Sequence, residues 1–511
     1  MSMMEQDPEQ IYDVLIVGGG VNGVGIAADA AGRGLSVLLC EKDDLASATS
    51  SSSSKLIHGG IRYLEHYEFR LVAKALAERE VLLRAAPHII WPLRFRLPHL
   101  PSLRPAWMIR IGLFLYDHLA RRASLPGSRS VRFGPDSPLK PGIEKGFEYS
   151  DCWVDDARLV VLNAMAARDH GALILPRTRC VSAQYEGGVW QVLLHNEISG
   201  EPHRVRARLL VNAAGPWVQS FIEEKLHRPS PRHVRLVKGS HIVVPRLYEG
   251  PECYILQNDD KRIVFAIPYE GEFTLIGTTD KEISGDPGKV DIDADEQAYL
   301  LSIINHYFKR QITDRDICWS YAGVRPLLDD ESSDASTVTR DYLLTLTGMA
   351  EGGEDGAKTE GGAPLLSVFG GKITTFRLLA KEAVDKMQAV FPDLGPSRTQ
   401  DQTLPGGDFD NPATLYDRLK AEAPWLPDDV ARRYVRSYGT AVFALLDGCT
   451  ALAAMGEDFG AGLYEAEVQY LRRHEWAVQA EDIVWRRSKR GLFMTKAQQS
   501  RLQEWLDSRN D

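Results

Sequence analysis

Near the N-terminus, Gly18-Gly19-Gly20-Val21-Asn22-Gly23 has the glycine spacing with which a chain holds a pyrophosphate. Gly18 permits the tight turn, Gly20 lets backbone approach the phosphates, and Gly23 lets the following helix pack closely on the preceding strand. The anion then meets the unpaired N–H groups and the positive end of that helix. Glu41 stands 23 residues beyond Gly18, at the end of the next apolar run. A carboxylate there accepts hydrogen bonds from ribose hydroxyls and repels a 2′-phosphate, so a dinucleotide is expected and NADP is disfavoured. A second glycine turn, Phe369-Gly370-Gly371-Lys372-Ile373-Thr374-Thr375, lies far downstream, again between an apolar run and a helical one. Two helix N-termini on one ligand suit FAD, because backbone N–H donors stabilise the electron-rich end of a reduced flavin. Gly370, Gly371 and Thr374 are the expected contacts. A third piece, LLVNAAGPW (209–217), ends an apolar strand in small residues, with Gly215 at the close approach.

These turns need a parallel sheet to hold them. Asp13–Val17 reads as a strand, Val24–Arg33 as a small-residue helix and Leu35–Cys40 as a second strand, a βαβ opening. A helix is expected from Glu68 to Arg84, where Phe69, Val72, Leu76 and Leu83 share one face. Glu186–Gly188 reads as a hairpin turn, and Arg262–Ala266 and Phe273–Gly277 as neighbouring strands. The 511 residues, 44% apolar and 25% charged, predict two to four globular domains and exclude wholesale disorder and fibrous classes. Met349–Gly362 is acidic and glycine-rich, a solvated loop, and Gly395–Pro412 has linker composition. Beyond it Leu415–Asp511 is helical in pattern, with Trp425, Trp476, Trp485 and Trp505 expected in its core.

Six isolated cysteines, at 40, 152, 180, 253, 318 and 449, form neither a redox pair nor a zinc knuckle, so reduced thiols and no metal site are expected. The opening MSMMEQDPEQ is acidic and polar, unlike a secretory signal. The longest apolar window, Val14–Ala28, is broken by Asn22 and glycines, which argues against a membrane span. A net charge of −10 gives the surface no general attraction for nucleic acid.

Five longer strings carry a resemblance: SSSSSKLIHGGIRYLE (50–65), GFEYSDCWVDDARL (146–159), VKGSHIVVP (237–245), GVRPL (323–327) and SVFGGKITTF (367–376). Together they closely resemble the aerobic FAD-dependent glycerol-3-phosphate dehydrogenases of bacteria, over nearly the whole chain. The acidic 349–362 loop is longer than that family needs. The resemblance implies an α/β, mixed α+β fold of the glutathione-reductase and amino-acid-oxidase type. It carries a Rossmann-like FAD domain, a substrate cap and a C-terminal helical domain. The expected layout is an FAD domain in three parts (1–90, 150–230 and 320–390), a basic, aromatic membrane-facing segment (91–149), a cap (231–319), a linker (391–412) and a helical domain (413–511).

The same resemblance implies oxidation of sn-glycerol 3-phosphate to dihydroxyacetone phosphate, electrons leaving to membrane quinone, peripheral attachment at the inner face of the cell membrane, and a homodimer. A phosphorylated substrate needs fixed cations, and arginine's planar fork suits phosphate. By resemblance Arg62, Tyr63, Arg325, Arg340 and Lys372 line the substrate pocket, with Arg325 nearest the phosphate. Ser51, Ser52 and His58 are the further cofactor contacts it implies. The hydroxyl proton must go to a base, and histidine has the suitable pKa. His58 and His241 both lie inside the shared strings; His241 is preferred as base and His58 as a flavin or substrate contact.

One segment runs against the acidic average. His88–Phe133 holds eight arginines and one acid, Asp117, interleaved with Trp91, Phe95, Trp107, Met108, Phe114 and Tyr116. Arginine with aromatic residues is what an anchor on anionic lipid uses, and no nucleic-acid partner is expected. The rivals are an oxidase of the same fold that uses oxygen, an amino-acid oxidase, and a flavoprotein that turns nothing over.

Overall fold

The structure, a computed structural model, describes residues 10–101, 104–260, 262–329, 341–348 and 362–509. Arg340 and most of the acidic 349–362 stretch lie outside the described residues.

Ile11–Val17 sits mid-sheet, parallel to Val37–Cys40 on one side and to Pro202–Asn212 on the other. Pro202–Asn212 in turn lies parallel to Leu365–Gly370. Val14 and Ile16 enter one core and Leu15 the opposite one, all three with no exposure, which is why the run is continuously apolar. Helix α1 (Val21–Gly32) covers one face. It has small residues because the helix Phe376–Lys386 packs directly on it: a Cβ at Gly25 would stand 2.9 Å from the Phe376 ring. The hairpin Thr178–Glu186 and Val189–Asn196 turns at Gly187-Gly188, as expected, and covers the other face.

The parallel strands end at Val17, Cys40, Asn212 and Gly370, on neighbouring positions of one sheet. Both glycine turns, Glu41 and the Ala213–Gly215 piece therefore emerge from the same carboxyl edge, where open α/β sheets bind their ligands.

A second sheet forms the cap. It contains Ile90–Pro98, Lys145–Val154, Val234–Pro245, Cys253–Gln257, Ile263–Tyr269, Phe273–Gly277 and Trp319–Leu328. Two expected boundaries move. The 91–149 segment is not a separate unit: its strands at both ends pair within the cap sheet, Ile90–Pro98 against Lys145–Val154. Trp319–Leu328, which bears Arg325, pairs along its length with Val234–Pro245. The third nucleotide-domain segment thus starts after this strand rather than at 320. Hydrophobic runs alone could not tell which sheet claimed them. Between the two strands of the basic segment lies α3 (Ala106–His118); α2 (Phe69–Ala85) precedes them.

Residues 391–411 contain no helix or strand, and the helices between Pro412 and Asp507 have a core of their own. Trp505 is buried there and Trp425 packs, partly buried, against that core. Trp485 stacks on Trp319 of the cap at 4.4 Å, and Trp476 packs against the nucleotide-domain core. A buried ion network joins the same units. Asp44 accepts from Arg486 and Arg487, each at 2.6 Å, and Asp482 accepts from Arg486 at 2.6 Å and Arg177 at 2.7 Å. Burial alone would raise the Asp44 pKa, but the two guanidinium groups hold it below the usual carboxylate range. The segment just after Glu41 is thus tied to the C-terminal domain.

Candidate active site

A cavity of about 870 Å³ opens where the carboxyl edge of the nucleotide sheet meets the cap. Gly18 and Gly20 border it on one side and Gly370 and Gly371 on another, and the two turns touch. Asn22 Nδ2 donates to Gly370 O at 3.2 Å. Gly18 has φ +116°, and a Cβ there would lie 2.8 Å from the Ala213 carbonyl carbon. Gly23 is not on the cavity wall; it presses on the Gly18 carbonyl, the packing role its position in the motif requires. Gly215, with φ +55°, Gly370, with φ +74°, and Gly371, with φ +109°, all border the cavity.

Glu41 closes the turn from below. Its carboxylate accepts from Gly19 N at 2.7 Å and from Asp43 N at 2.9 Å, and it borders the cavity. Burial raises its pKa and the two backbone donors oppose that rise. Among the serines the assignment shifts by one. Ser50 and Ser52 line the cavity and Ser51 does not: the short 3₁₀ turn Thr49–Ser51 directs its carbonyl to Lys55 Nζ at 3.0 Å. Ser50 Oγ accepts the Val21 N–H at 3.0 Å, at the first turn of α1.

FAD fits these residues on two observations. Asn22 Oδ1 is buried between the glycine turns with no hydrogen-bond partner, an acceptor waiting for a donor. Gly20 leaves a cradle that a Cβ would begin to fill, at 3.1 Å from Ser50 Oγ. Asn22 and Ser50 were missed by the sequence reading. Asn22 occupies a position where the motif accepts any residue, and Ser50 is one of five consecutive serines, so neither carried a signal.

At the cap end the wall changes character. Arg62, Tyr63, Arg325 and Lys372 all border the cavity, with Asp280 and Asp341 beside them. Arg325 donates to Asp280 at 2.5 Å and to Thr278 Oγ1 at 3.0 Å. Gly239, two residues along the paired strand from Val237, the register partner of Arg325, leaves room for the guanidinium: a Cβ there would lie 2.8 Å from Arg325 Cζ. Lys372 Nζ donates to the His58 carbonyl at 2.7 Å and sits 5.2 Å above the Tyr63 ring. Asp280 and Thr278 were not foreseen, for they lie between two strands with no motif around them.

The two histidines part company. His58 borders the cavity, against Phe265 at 6.4 Å; burial and then Lys372 push its pKa well below the usual histidine value. Thr374 is not on the wall: buried behind it, its hydroxyl bonds the His58 backbone N–H at 3.2 Å. His241 is not on the wall either, a correction to its expected place. Its ring is buried and stacks on Tyr321 at 4.8 Å, while Nε2 shares a hydrogen bond of 2.9 Å with Ser54 Oγ. Ser54 does border the cavity. Burial, then Arg325 and Lys55, depress the His241 pKa well below normal, so at neutral pH the imidazole is uncharged and one ring nitrogen carries a lone pair.

Comparison with known proteins gives a consistent result. Residues 13–377 match the family described as FAD dependent oxidoreductase, and residues 397–508 match the C-terminal domain of alpha-glycerophosphate oxidase. A glycerol-3-phosphate dehydrogenase of Pseudomonas aeruginosa is 60% identical over 98% of this chain and 96% of its own length. A D-erythritol 1-phosphate dehydrogenase of Brucella abortus is 50% identical over 98% of both. Among solved structures, a glycerol-3-phosphate dehydrogenase of Bacillus halodurans in complex with FAD superposes with a TM-score of 0.73 at 25% identity. That match covers 98% of this chain and 95% of the other.

Proposed function

The chain belongs to the FAD-dependent oxidoreductase family, among its glycerol-3-phosphate dehydrogenases, and from that premise we propose that it oxidises sn-glycerol 3-phosphate to dihydroxyacetone phosphate, with electrons delivered to a membrane quinone. The observation that carries the reading is the convergence of Arg62, Arg325 and Lys372 on a cavity shared with both glycine turns. A phosphate dianion is held by fixed cations, and an arginine fork oriented by Asp280 and Thr278 offers it paired donors. An amino acid would need one carboxylate clamp rather than three cations. FAD, when bound, supplies the acceptor for the hydride of the carbinol carbon.

Purified holoprotein under anaerobic conditions tests the reading. Glycerol 3-phosphate is expected to bleach the flavin, and a quinone analogue to restore its colour. D-erythritol 1-phosphate and D- and L-amino acids complete the panel. Bleaching by an amino acid and not by glycerol 3-phosphate would overturn the substrate; peroxide formation faster than quinone reduction would make the chain an oxidase.

In the proposed reaction the hydroxyl proton leaves through Ser54 to His241 Nε2, while His58 contacts substrate or flavin. His241→Gln and Ser54→Ala are then expected to lower kcat by similar factors, about 10²-fold, in stopped-flow flavin reduction. His58→Gln is expected to raise KM more than it lowers kcat. Because burial keeps the free-enzyme imidazole uncharged, the acid limb of kcat/KM should lie below pH 6.5. An unchanged kcat in His241→Gln removes His241 from the reaction.

Membrane contact is the second part of the proposal. α3 presents Trp107, Met108, Ile111, Phe114 and Leu115 as one exposed stripe, Trp107 at 64% exposure, while Leu113 and Tyr116 face inward. No helix among the described residues is long and apolar enough to cross a membrane. The arginine surplus contributes less than composition suggested. Arg94, Arg96 and Arg129 converge on Glu148, and Arg104 pairs with Glu65. Arg110, Arg121 and Arg132 are exposed. Seating of the apolar stripe in the lipid interface is therefore the main attraction, with these cations assisting on anionic lipid. Trp107→Ser with Phe114→Ser is expected to weaken partition onto phosphatidylglycerol vesicles by at least about 100-fold, since each aromatic contributes about 1.5–3 kcal/mol when buried. Raising the salt concentration should weaken it much less. Vesicle sedimentation measures both; a double variant that sediments like the parent would place the contact elsewhere.

A further inference from the structure

Beneath the cavity lies a buried polar cluster that neither the cofactor nor the proton path uses. Asp151, on Lys145–Val154, is 1% exposed. It accepts from Arg79 Nη1 of α2 at 2.7 Å and from the Tyr116 hydroxyl of α3 at 2.7 Å. Arg79 also donates to the Ser150 carbonyl at 2.9 Å. The Tyr116 oxygen, having given its proton to the carboxylate, accepts the Gly59 N–H at 2.9 Å, which reaches Asp151 Oδ1 only at 3.4 Å. Burial and the adjacent Asp151 charge hold the phenol well above its ordinary pKa, so it remains a donor at every working pH.

Gly59 belongs to the turn His58-Gly59-Gly60 that leads into Arg62 and Tyr63, and that turn has no slack. A Cβ at Gly59 would lie 2.6 Å from Leu76 and 2.7 Å from the Tyr116 hydroxyl, and Gly60 has φ +78°. On the cavity side, Thr374 and Lys372 hold the His58 backbone through its N–H and its carbonyl. The turn is therefore gripped from above by the second glycine turn and from below by α3. Arg79 reaches only Oδ1 of the buried carboxylate, and the Tyr116 hydroxyl supplies the donor for Oδ2. The added tyrosine lets that charge orient a hydroxyl against one particular amide.

We propose that Tyr116, braced by Asp151 and Arg79, is a positioning residue that fixes the Gly59 amide and so sets where Arg62 and Tyr63 meet the phosphorylated substrate. The identity of that substrate rests on the function proposed above; the strut itself does not. The test uses Tyr116→Phe, which removes one oxygen atom and keeps the ring, in the full FAD-loaded chain. Amide hydrogen exchange over residues 58–61 is expected to quicken about tenfold, the factor that loss of one hydrogen bond supports. Flavin content should be unchanged, and KM for glycerol 3-phosphate should rise about tenfold with kcat within threefold. Unchanged exchange overturns the strut, and quicker exchange with the parent's KM overturns the positioning role. If the parent chain leaves glycerol 3-phosphate unoxidised, the functional reading falls, and exchange alone upholds or overturns the strut. Tyr116→Met, which removes the hydroxyl and keeps an apolar side chain that can fill the site, gives the same readouts should Tyr116→Phe fold poorly.

Discussion

Arg325→Leu is expected to lower kcat/KM for glycerol 3-phosphate about 10³-fold while the purified protein stays fully yellow. Two effects combine. The guanidinium is the proposed phosphate ligand, and a charge-assisted, bidentate contact in a partly buried site contributes about 3 kcal/mol or more. Its loss also takes the guanidinium away from Asp280, 16% exposed on the cavity wall, so that carboxylate faces the phosphate dianion without the neighbouring positive charge. A like charge at that distance adds repulsion where there had been attraction. The double variant Arg325→Leu with Asp280→Asn should therefore recover about tenfold over the single change, a coupling that a merely structural arginine would not produce. Arg325→Lys keeps the charge but loses the fork and should fall between, about 10²-fold below the parent. Steady-state kinetics with glycerol 3-phosphate and a soluble quinone analogue measure all three. A single variant within tenfold of the parent would take Arg325 off the phosphate.

How much of this site was legible beforehand follows from what kind of constraint each residue obeys. Gly18, Gly20, Glu41, Gly370 and Gly371 obey local rules, a turn, a close approach and a strand end, and local rules are written in local sequence. Arg325 and Lys372 were found because they sit in unusual glycine and proline surroundings within strings shared with a known family. Asp280, Thr278 and Asn22 matter through partners 45, 47 and 348 residues away. No pattern along the chain announces such pairs. His241 illustrates the same limit: the apolar run after it, Ile242–Val244, marks a buried strand. Only the pairing of that strand with Trp319–Leu328 placed Tyr321 over the ring, which sits behind Ser54 rather than on the cavity wall. The basic segment misled in another way. Its arginines looked unopposed within 88–133, yet Glu148, just outside that window, takes three of them because Lys145–Val154 and Ile90–Pro98 are neighbouring strands. Composition counts charges along the chain, and lipid meets only those left on the surface.

Gly18→Ala should yield a chain that folds and purifies without flavin, with no measurable dehydrogenase activity. The reason is backbone geometry rather than chemistry. At φ +116° an alanine is strained by about 1–3 kcal/mol, and its Cβ would also meet the Ala213 carbonyl carbon at 2.8 Å. That carbonyl cannot retreat easily, since Ala213 N donates to Val17 O at 2.9 Å and Gly18 N donates to Cys40 O at 2.9 Å. The strain must instead be released by moving the turn outward, into the volume where the pyrophosphate would lie against the N-terminus of α1. An anion held by backbone N–H groups tolerates little displacement, and FAD affinity is expected to fall by more than about 10²-fold. Gly34→Ala separates the two causes. Gly34 also has positive φ, +93°, but a Cβ there meets nothing within 4 Å, and the residue lies beyond the far end of α1 from the cavity. It should cost stability and keep the flavin. Absorbance of each purified chain at the flavin maximum, with far-ultraviolet circular dichroism to confirm folding, reads the contrast. A yellow Gly18→Ala would mean that the first glycine turn does not hold the cofactor.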